Sequence, residues 1–455
     1  MITDKRKTNG QNRTRLLGIA SSLMVLMFVS QTHAQSCLHP TSRILPDDGT
    51  VGDAFGASVS ISGTTAVING AGSAYVFTYT DGAWTQYTEL LQNGGGTNSV
   101  SISGDTIVLG APLDNVNGAR PGSAYVFRKI NGLWIQEAKL LADDGAHLDS
   151  FGRSVAIDSN TIVVGAHQDD DQGNNSGSAY VFTRSGGVWT QQSKLIDAPG
   201  NRPRNFGIAV SISGDTIVVG VNDDEDIGFI RAGSAHVFTR TGVIWTLQGN
   251  LRFADKNSSA TFVRSVSISG DTVIVGTVED TKKGQNAGSA YVYVRTSGAW
   301  SQQAKLLPMD GSEGQLFGTS VATSGDMAVV GAFGDDSAYV FARTGETWSQ
   351  QTKIQPIELG GGFGGSVSIN AKTVLIGANR DRVNGSNSGS AYITDYNAPS
   401  CTADLTGDCA LNFFDISEFL SAFSAKDIVA DFNNDGLFNF FDISAFLNAY
   451  SAGCP

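Results

Sequence analysis

Short β-branched and aromatic runs, broken by Gly, Asn, Asp and Ser, follow one another along most of this chain. One stretch shows the order: Ser-Val-Ala-Ile at 154–157, Thr-Ile-Val-Val-Gly-Ala at 161–166, Ser-Ala-Tyr-Val-Phe at 178–182 and Trp-Thr-Gln-Gln-Ser-Lys-Leu at 189–195. Runs of this length and makeup, bounded by turn formers, predict four strands joined by tight turns. The third run, Gly-Ser-Ala-Tyr-Val-Phe or a close variant, returns seven times, at 72–77, 122–127, 177–182, 233–238, 288–293, 336–341 and 389–394.

The first hairpin of each copy is marked by Gly63, Gly104, Gly214, Gly270 and Gly325, with Asn160 and Ala371 aligned to them, in steps of 41, 56, 54, 56, 55 and 46 residues. A recurring unit of this size cannot bury its apolar face alone and must stack on its neighbours. Seven four-stranded units predict an all-β, seven-bladed β-propeller. The seventh copy stops near Tyr396 without a Trp or a fourth strand, whereas Ser-Arg-Ile-Leu-Pro-Asp-Asp-Gly at 42–49 matches Ala-Lys-Leu-Leu-Ala-Asp-Asp-Gly at 138–145, a fourth strand with its turn. An N-terminal strand is therefore expected to complete the last blade and close the ring, leaving no unpaired inner edge.

Phe-Gly at 55–56, 151–152, 206–207, 317–318 and 363–364, followed by Val-x-Ile-x-Gly-Asp-Thr and then Val-Gly-Ala, carries a family resemblance. It resembles the FG-GAP repeat, the blade of integrin-like propellers, most closely the bacterial variant with Ser-Gly-Asp-Thr in the first hairpin, over about residues 38–397. The Asp-x-Asp-x-Asp-Gly calcium loop of the integrin-type blade is missing from that hairpin, so the resemblance does not carry blade calcium here.

Lys5, Arg6, Lys7, Arg13 and Arg15 precede an apolar run at 16–29, and Thr32-His33-Ala34 offers small residues for cleavage. This layout predicts a signal peptide over 1–34 and a mature chain from Gln35. A retained anchor and a lipoprotein start at Cys37 are the rival readings. The formal charge of −13 argues against nucleic acid or anionic lipid as the main partner. Export would let the four cysteines pair.

The last 55 residues repeat a second pattern: Asp404-x-Thr406-x-Asp408-Cys409-Ala410-x-Asn412-x-x-Asp415, then 27 residues later Asp431-x-Asn433-x-Asp435-Gly436-Leu437-x-Asn439-x-x-Asp442. Oxygen ligands at loop positions 1, 3, 5, 9 and 12, with the carbonyls of Ala410 and Leu437 at position 7, are what calcium requires. Each loop leads into an apolar helix, expected over 416–423 and 443–450, with Phe419 and Leu420 matching Phe446 and Leu447. Residues 400–455 resemble a dockerin, the calcium-dependent docking module of secreted bacterial assemblies, in its GC-type form, which ends here as Ala-Gly-Cys-Pro. The resemblance implies calcium as cofactor and a cohesin-like or cell-envelope protein as partner. Cys409 stands where such a loop needs a left-handed backbone, at a cost on the order of 1 kcal/mol, which weakens the first site relative to the second. Cys37, Cys401, Cys409 and Cys454 allow three connectivities, and the sequence does not choose among them.

The chain has no Gly-x-Ser-x-Gly, no His-Glu-x-x-His and no phosphate-cradling Gly-Lys-Ser/Thr. His236 replaces the recurring Tyr of its strand and reads as a packed residue, while His147 and His167 share a face and form a weak metal candidate. Six tryptophans, Trp84, Trp134, Trp189, Trp245, Trp300 and Trp348, recur at one blade position, where packing in the outer strand outweighs sugar stacking. Turns on one rim hold Asp114, Asp143, Asp144, Asp169, Asp170, Asp171, Asp223, Asp224, Asp226, Asp280, Asp335, Asp336 and Asp381, which read either as solvated tips or as an acidic rim drawing cations or a basic partner. The leading functional expectation is an exported, non-catalytic interaction protein, with protein or carbohydrate bound on the propeller rim. The alternative is a polysaccharide-acting enzyme or accessory subunit delivered by its docking module.

Overall fold

The computed structural model describes residues 36–455 apart from 41, 71, 92–95, 97, 117–118, 198–203, 223–232, 254–261, 360, 397–402, 407–410, 434 and 453–455. The expected signal segment, 1–34, lies outside the described residues. Seven antiparallel sheets follow one another as blades, at 59–91, 99–140, 154–195, 210–251, 263–306, 317–354 and 363–395. Their first strands, from Val59–Ser62 to Phe363–Asn370, are each packed against the next, and the last packs against the first, so the ring is closed.

Closure follows the expected route. Ser42–Ile44 pairs antiparallel with Ser390–Asp395 as the outer strand of blade seven, with Ile44 opposite Ala391. One addition was not legible: Ser36–Leu38 runs parallel to Thr347–Ile354, giving blade six a fifth strand. The N-terminal segment thus straps two blades rather than one.

Inner strands alternate apolar residues, which pack between blades, with serines. The serine hydroxyls accept backbone N–H bonds from the next blade: Ile102 donates to Ser60 (3.1 Å), Ile157 to Ser101 (3.2 Å), Ile268 to Ser211 (3.2 Å) and Thr323 to Ser267 (3.1 Å). Gly214 donates to Asp158 (2.6 Å), which stands where blades one and four carry the strand's last serine, and Ile61 donating to Ser368 (3.2 Å) joins blade one to blade seven. Six of the seven seams are thereby paired through side chains where no ladder exists, and between blades six and seven Ser320 Oγ instead donates to the Gly364 carbonyl at 2.8 Å.

The Phe-Gly pairs do two jobs. Phe55, Phe151, Phe206, Phe317 and Phe363 are fully buried, edge-on against the Tyr or His, and in four cases also the Phe, of their own third strand. The glycines press on the preceding blade: a Cβ on Gly152 would strike the Ser123 carbonyl and one on Gly207 the Ser178 carbonyl, and in return the Gly207 carbonyl leaves no room for a Cβ on Gly165 of blade three. Blade five lacks the pair, and Val263 fills the space beside Gly220 and Gly233.

The first-hairpin glycines have open space around them and φ between 54° and 59° at Gly63, Gly104, Gly214, Gly270 and Gly325, so they serve the left-handed turn. Asn160 is corrected as the matching residue in blade three: Ser159 adopts the turn, with φ 55°, whereas Ala371 does so as expected, with φ 53°. Both helices are longer than expected, α1 over Phe413–Ala425 and α2 over Phe440–Ala452. Asn412 and Asp415 cap α1 reciprocally and so start it a turn earlier than the apolar run suggests.

Candidate metal-binding loops and the polar clusters of the blades

In the C-terminal pair, Phe419 and Phe446 stack face to face at 4.1 Å, and Phe432 meets both edge-on. These equivalent residues of α1 and α2 build a small core with Ala403, Ala422 and Ala430. That packing fixes the loops at the start of each helix.

In the first loop Asp404 and Asp415 are buried, and the Thr406 hydroxyl donates to both, at 3.3 and 2.9 Å. The Asn412 N–H donates to the second Asp415 oxygen at 2.9 Å, and the Asn412 side chain caps Phe414 N. Asp408 and Ala410 lie outside the described residues, as do Cys401, Cys409 and Cys454. In the second loop Asp431 accepts from Asp435 N and Gly436 N (3.1 and 2.8 Å), and Asp442 accepts from Asn433 N and Asn439 N (3.4 and 2.9 Å). The Asn433 amide donates to Asp435 at 3.0 Å, and Leu437 N donates to its other oxygen. Gly436 has φ 76°, the left-handed backbone that Cys409 disfavours in the first loop.

The two loops therefore bring together Asp404, Thr406, Asn412 and Asp415, and Asp431, Asn433, Asp435, Asn439 and Asp442. The Asn439 N–H holds Asp442 below the usual carboxylate range. No Lys or Arg pairs with Asp415, Asp431 or Asp442 among the described residues, and no group of three or more His, Cys, Asp or Glu is already in ligand geometry there. The donor set is all oxygen, which fits a hard cation.

For five aspartates of the expected acidic rim the solvated-tip reading is corrected, while Asp143, Asp144, Asp170 and Asp171 are exposed. Asp114, Asp169 and Asp280 are buried, and each faces a lysine of the fourth strand: Lys139 at 2.8 Å, Lys194 at 2.9 Å and Lys305 at 2.6 Å. Asp335 meets Lys353 (2.9 Å), and Asp381 meets Arg43 (2.5 Å), the closing strand's substitute for that lysine. The repeat's Tyr hydroxyl bonds each of these carboxylates, as Tyr125 does Asp114 (2.7 Å), and its Ser hydroxyl joins all but the Asp169 cluster, as Ser123 does on Asp114 (2.5 Å). Burial alone raises these carboxyls, but the cation and hydroxyl bonds outweigh it and hold Asp114, Asp169, Asp280, Asp335 and Asp381 below their ordinary value. The countercharge is thus the protein's own. Asp223, Asp224 and Asp226 lie outside the described residues.

His236 is buried in the Tyr slot against Phe206, as expected. His147 accepts from Arg120 N through Nδ1 at 3.2 Å. Burial, then the Arg153 charge, pushes His167 down to about 4. The outer-strand tryptophans are tied to the preceding blade: Trp189 Nε1 donates to Glu137 (2.9 Å), Trp245 to Gln192 (2.8 Å), Trp300 to Gln248 (2.8 Å) and Trp348 to Gln303 (2.9 Å). Sequence reasoning missed one feature: Phe413, Phe414, Phe440 and Phe441, the first residues of the two helices, are between 67 and 72 % exposed. The signal was present in the doubled Phe-Phe just before each loop's last aspartate.

Among solved structures, a chain of the mitotic checkpoint complex crystal structure is similar at 12 % identity, with TM-score 0.53, over 84 % of this chain and 99 % of that one. Sqt1 of Saccharomyces cerevisiae is similar at 10 % identity, with TM-score 0.46, over 81 % and 87 %. At such identities the first likeness speaks for the propeller fold alone. No curated protein matches this chain in sequence. The family model for the FG-GAP repeat matches seven segments, 40–77, 84–127, 134–182, 189–238, 245–293, 300–341 and 348–394, and the chain belongs to the FG-GAP repeat family.

Proposed function

We propose that this is an exported, non-catalytic interaction protein, a β-propeller scaffold tethered through a calcium-dependent, dockerin-like module to an envelope or extracellular protein. The observation that carries this reading is the twofold-repeated pair of exposed phenylalanines, Phe413-Phe414 and Phe440-Phe441, set where each carboxylate loop enters its helix. Four large apolar side chains held in water at equivalent places are a docking surface rather than a solvated one.

Calcium would be held by Asp404, Thr406, Asp408, Asn412 and Asp415 with the Ala410 carbonyl, and by Asp431, Asn433, Asp435, Asn439 and Asp442 with the Leu437 carbonyl. The ion supplies positive charge to Asp415, Asp431 and Asp442, which pair with no Lys or Arg among the described residues, and so orders the loops that aim the phenylalanines. Asp415 and Asp442 couple the two events, since each is both the last loop residue and part of its helix's first turn.

The test is capture of partners from the secreted and envelope fractions by the full mature chain, with and without a calcium chelator. Capture is expected in calcium, lost in chelator, and lost in a Phe413→Ala/Phe440→Ala variant that still binds calcium by calorimetry. Equal capture in chelator sinks the calcium-dependent tether.

A further inference from the structure

The ring is least regular at the seam between blades seven and one. In blades three to six the fourth strand is eight residues long and pairs with the whole lower half of the third, as where Gln191 faces Phe182 and Thr190 faces Thr183. Among the described residues the closing strand of blade seven pairs from Ser42, opposite Ile393, to Ile44. Thr394 and Asp395, which match Phe182 and Thr183, have no such cross-strand partner among the described residues.

A cavity of about 380 Å³ opens at this place, lined among others by Tyr79, Trp84, Thr373, Thr394 and Asp395. Its size is at the lower end of the roughly 300–1,000 Å³ range of small-ligand pockets. The polar groups on it are unusually free. Thr394 is 1 % exposed, yet its hydroxyl has no hydrogen-bond partner among the described residues. Asp395 accepts from Thr373 Oγ1 through Oδ1 at 2.7 Å, and its Oδ2 makes no bond among the described residues.

Trp84 differs from its counterparts in the same way. The acceptors of Trp189, Trp245, Trp300 and Trp348 come from the preceding blade's fourth strand. In blade seven the matching position is Thr41, outside the described residues, and Trp84 Nε1 makes no bond among the described ones. Trp134 also lacks an acceptor, but its nitrogen is buried, whereas Trp84 lines the open cavity. In blades four to six an arginine lies over the Trp face; in blade one that residue is Tyr79, 44 % exposed, with its ring 5.4 Å from the indole.

We propose that this cavity binds one neutral pyranose ring of a glycan. The aromatic pair offers a face to the sugar's C–H groups. Thr394 Oγ1, Asp395 Oδ2 and Trp84 Nε1 offer acceptors and a donor to its hydroxyls, and an unmet buried hydroxyl gains the most from a bond. Among the described residues Asp395 is the one charged side chain of the lining and forms no ion pair, so uronate and sulfated sugars are disfavoured. The site deepens the reading of the propeller as a binding scaffold and is independent of the C-terminal module.

The full mature chain, kept in chelator so that the docking module plays no part, is titrated with methyl glycosides of glucose, galactose, mannose and N-acetylglucosamine, and with glucuronate. Tryptophan fluorescence and saturation-transfer NMR are the readouts. At least one neutral sugar is expected to bind and glucuronate to bind more weakly. Trp84→Phe, which keeps the packing but removes the N–H, and Asp395→Asn are each expected to weaken it about fivefold or more. Thr394→Val is the decisive variant, since it removes an unpaired buried hydroxyl and should weaken binding with an unchanged or raised melting temperature. No binding by any neutral sugar, equal binding of glucuronate, or affinity unmoved by Thr394→Val and Asp395→Asn overturns the proposal.

Discussion

Glycine is used in this repeat for two physically different reasons, and substitution separates them. At Ala371 the turn is left-handed but the residue is not glycine, so Ala371→Gly is expected to stabilise the protein by roughly 0.5–1 kcal/mol, read as a higher melting temperature. At Gly377 the backbone is not left-handed, and a Cβ would overlap the Gly56 carbonyl of blade one. Gly377→Ala is expected to cost at least about 1–3 kcal/mol, because backbone on both sides must move. His167 is a third residue-level case. Its folded value of about 4 lies below the unfolded 6.5, so the unfolded chain binds the extra proton and stability falls as pH drops from 6.5 toward 4. In His167→Asn the decline in melting temperature over that window should flatten; an unchanged slope defeats this assignment.

The closing strand shows how far the sequence carries at the level of elements. Ser-Arg-Ile at 42–44 matches Ala-Lys-Leu of an internal fourth strand, and it pairs as that match requires, with Arg43 replacing the lysine opposite Asp381. Its removal, by deleting residues 36–44, is expected to lower both solubility and melting temperature, since it bares the edges of blades six and seven. Unchanged melting counts against the ring. The parallel strand Ser36–Leu38 was not legible because Ser-Cys-Leu has no counterpart in any repeat. The lysine–aspartate clusters were hidden for another reason. Asp114 and Lys139 are 25 residues apart in sequence and meet only when the second, third and fourth strands are in register. In the candidate loops the spacing of oxygen residues was readable, but their burial and the exposure of the paired phenylalanines came only with helix starts set by Asn412 and Asp415.

Across the whole molecule the buried clusters act together. The lowered carboxyls Asp114, Asp169, Asp280, Asp335 and Asp381 contribute stability above their unfolded value near 3.8, and lose it as pH falls through their lower folded values. The lysines Lys139, Lys194 and Lys353 are raised by their aspartate partners against the opposing effect of burial, so their contribution holds below about 10.5 and fades as pH rises through the higher folded values. A melting temperature that is flat from about pH 6.5 to 10 and falls beyond both ends is therefore expected.

Strapping blades six and seven with residues 36–44 also sets an order of events in time. The first strands to leave the ribosome must wait, unpaired, until residues 347–395 have been made and have formed their blades. Contacts between segments more than 300 residues apart are slow to form, and until they do both ends of the row of blades present strand edges to other chains. Ring closure is thus expected to come late in folding, and the interval before it is when this chain most needs shelter from its own copies.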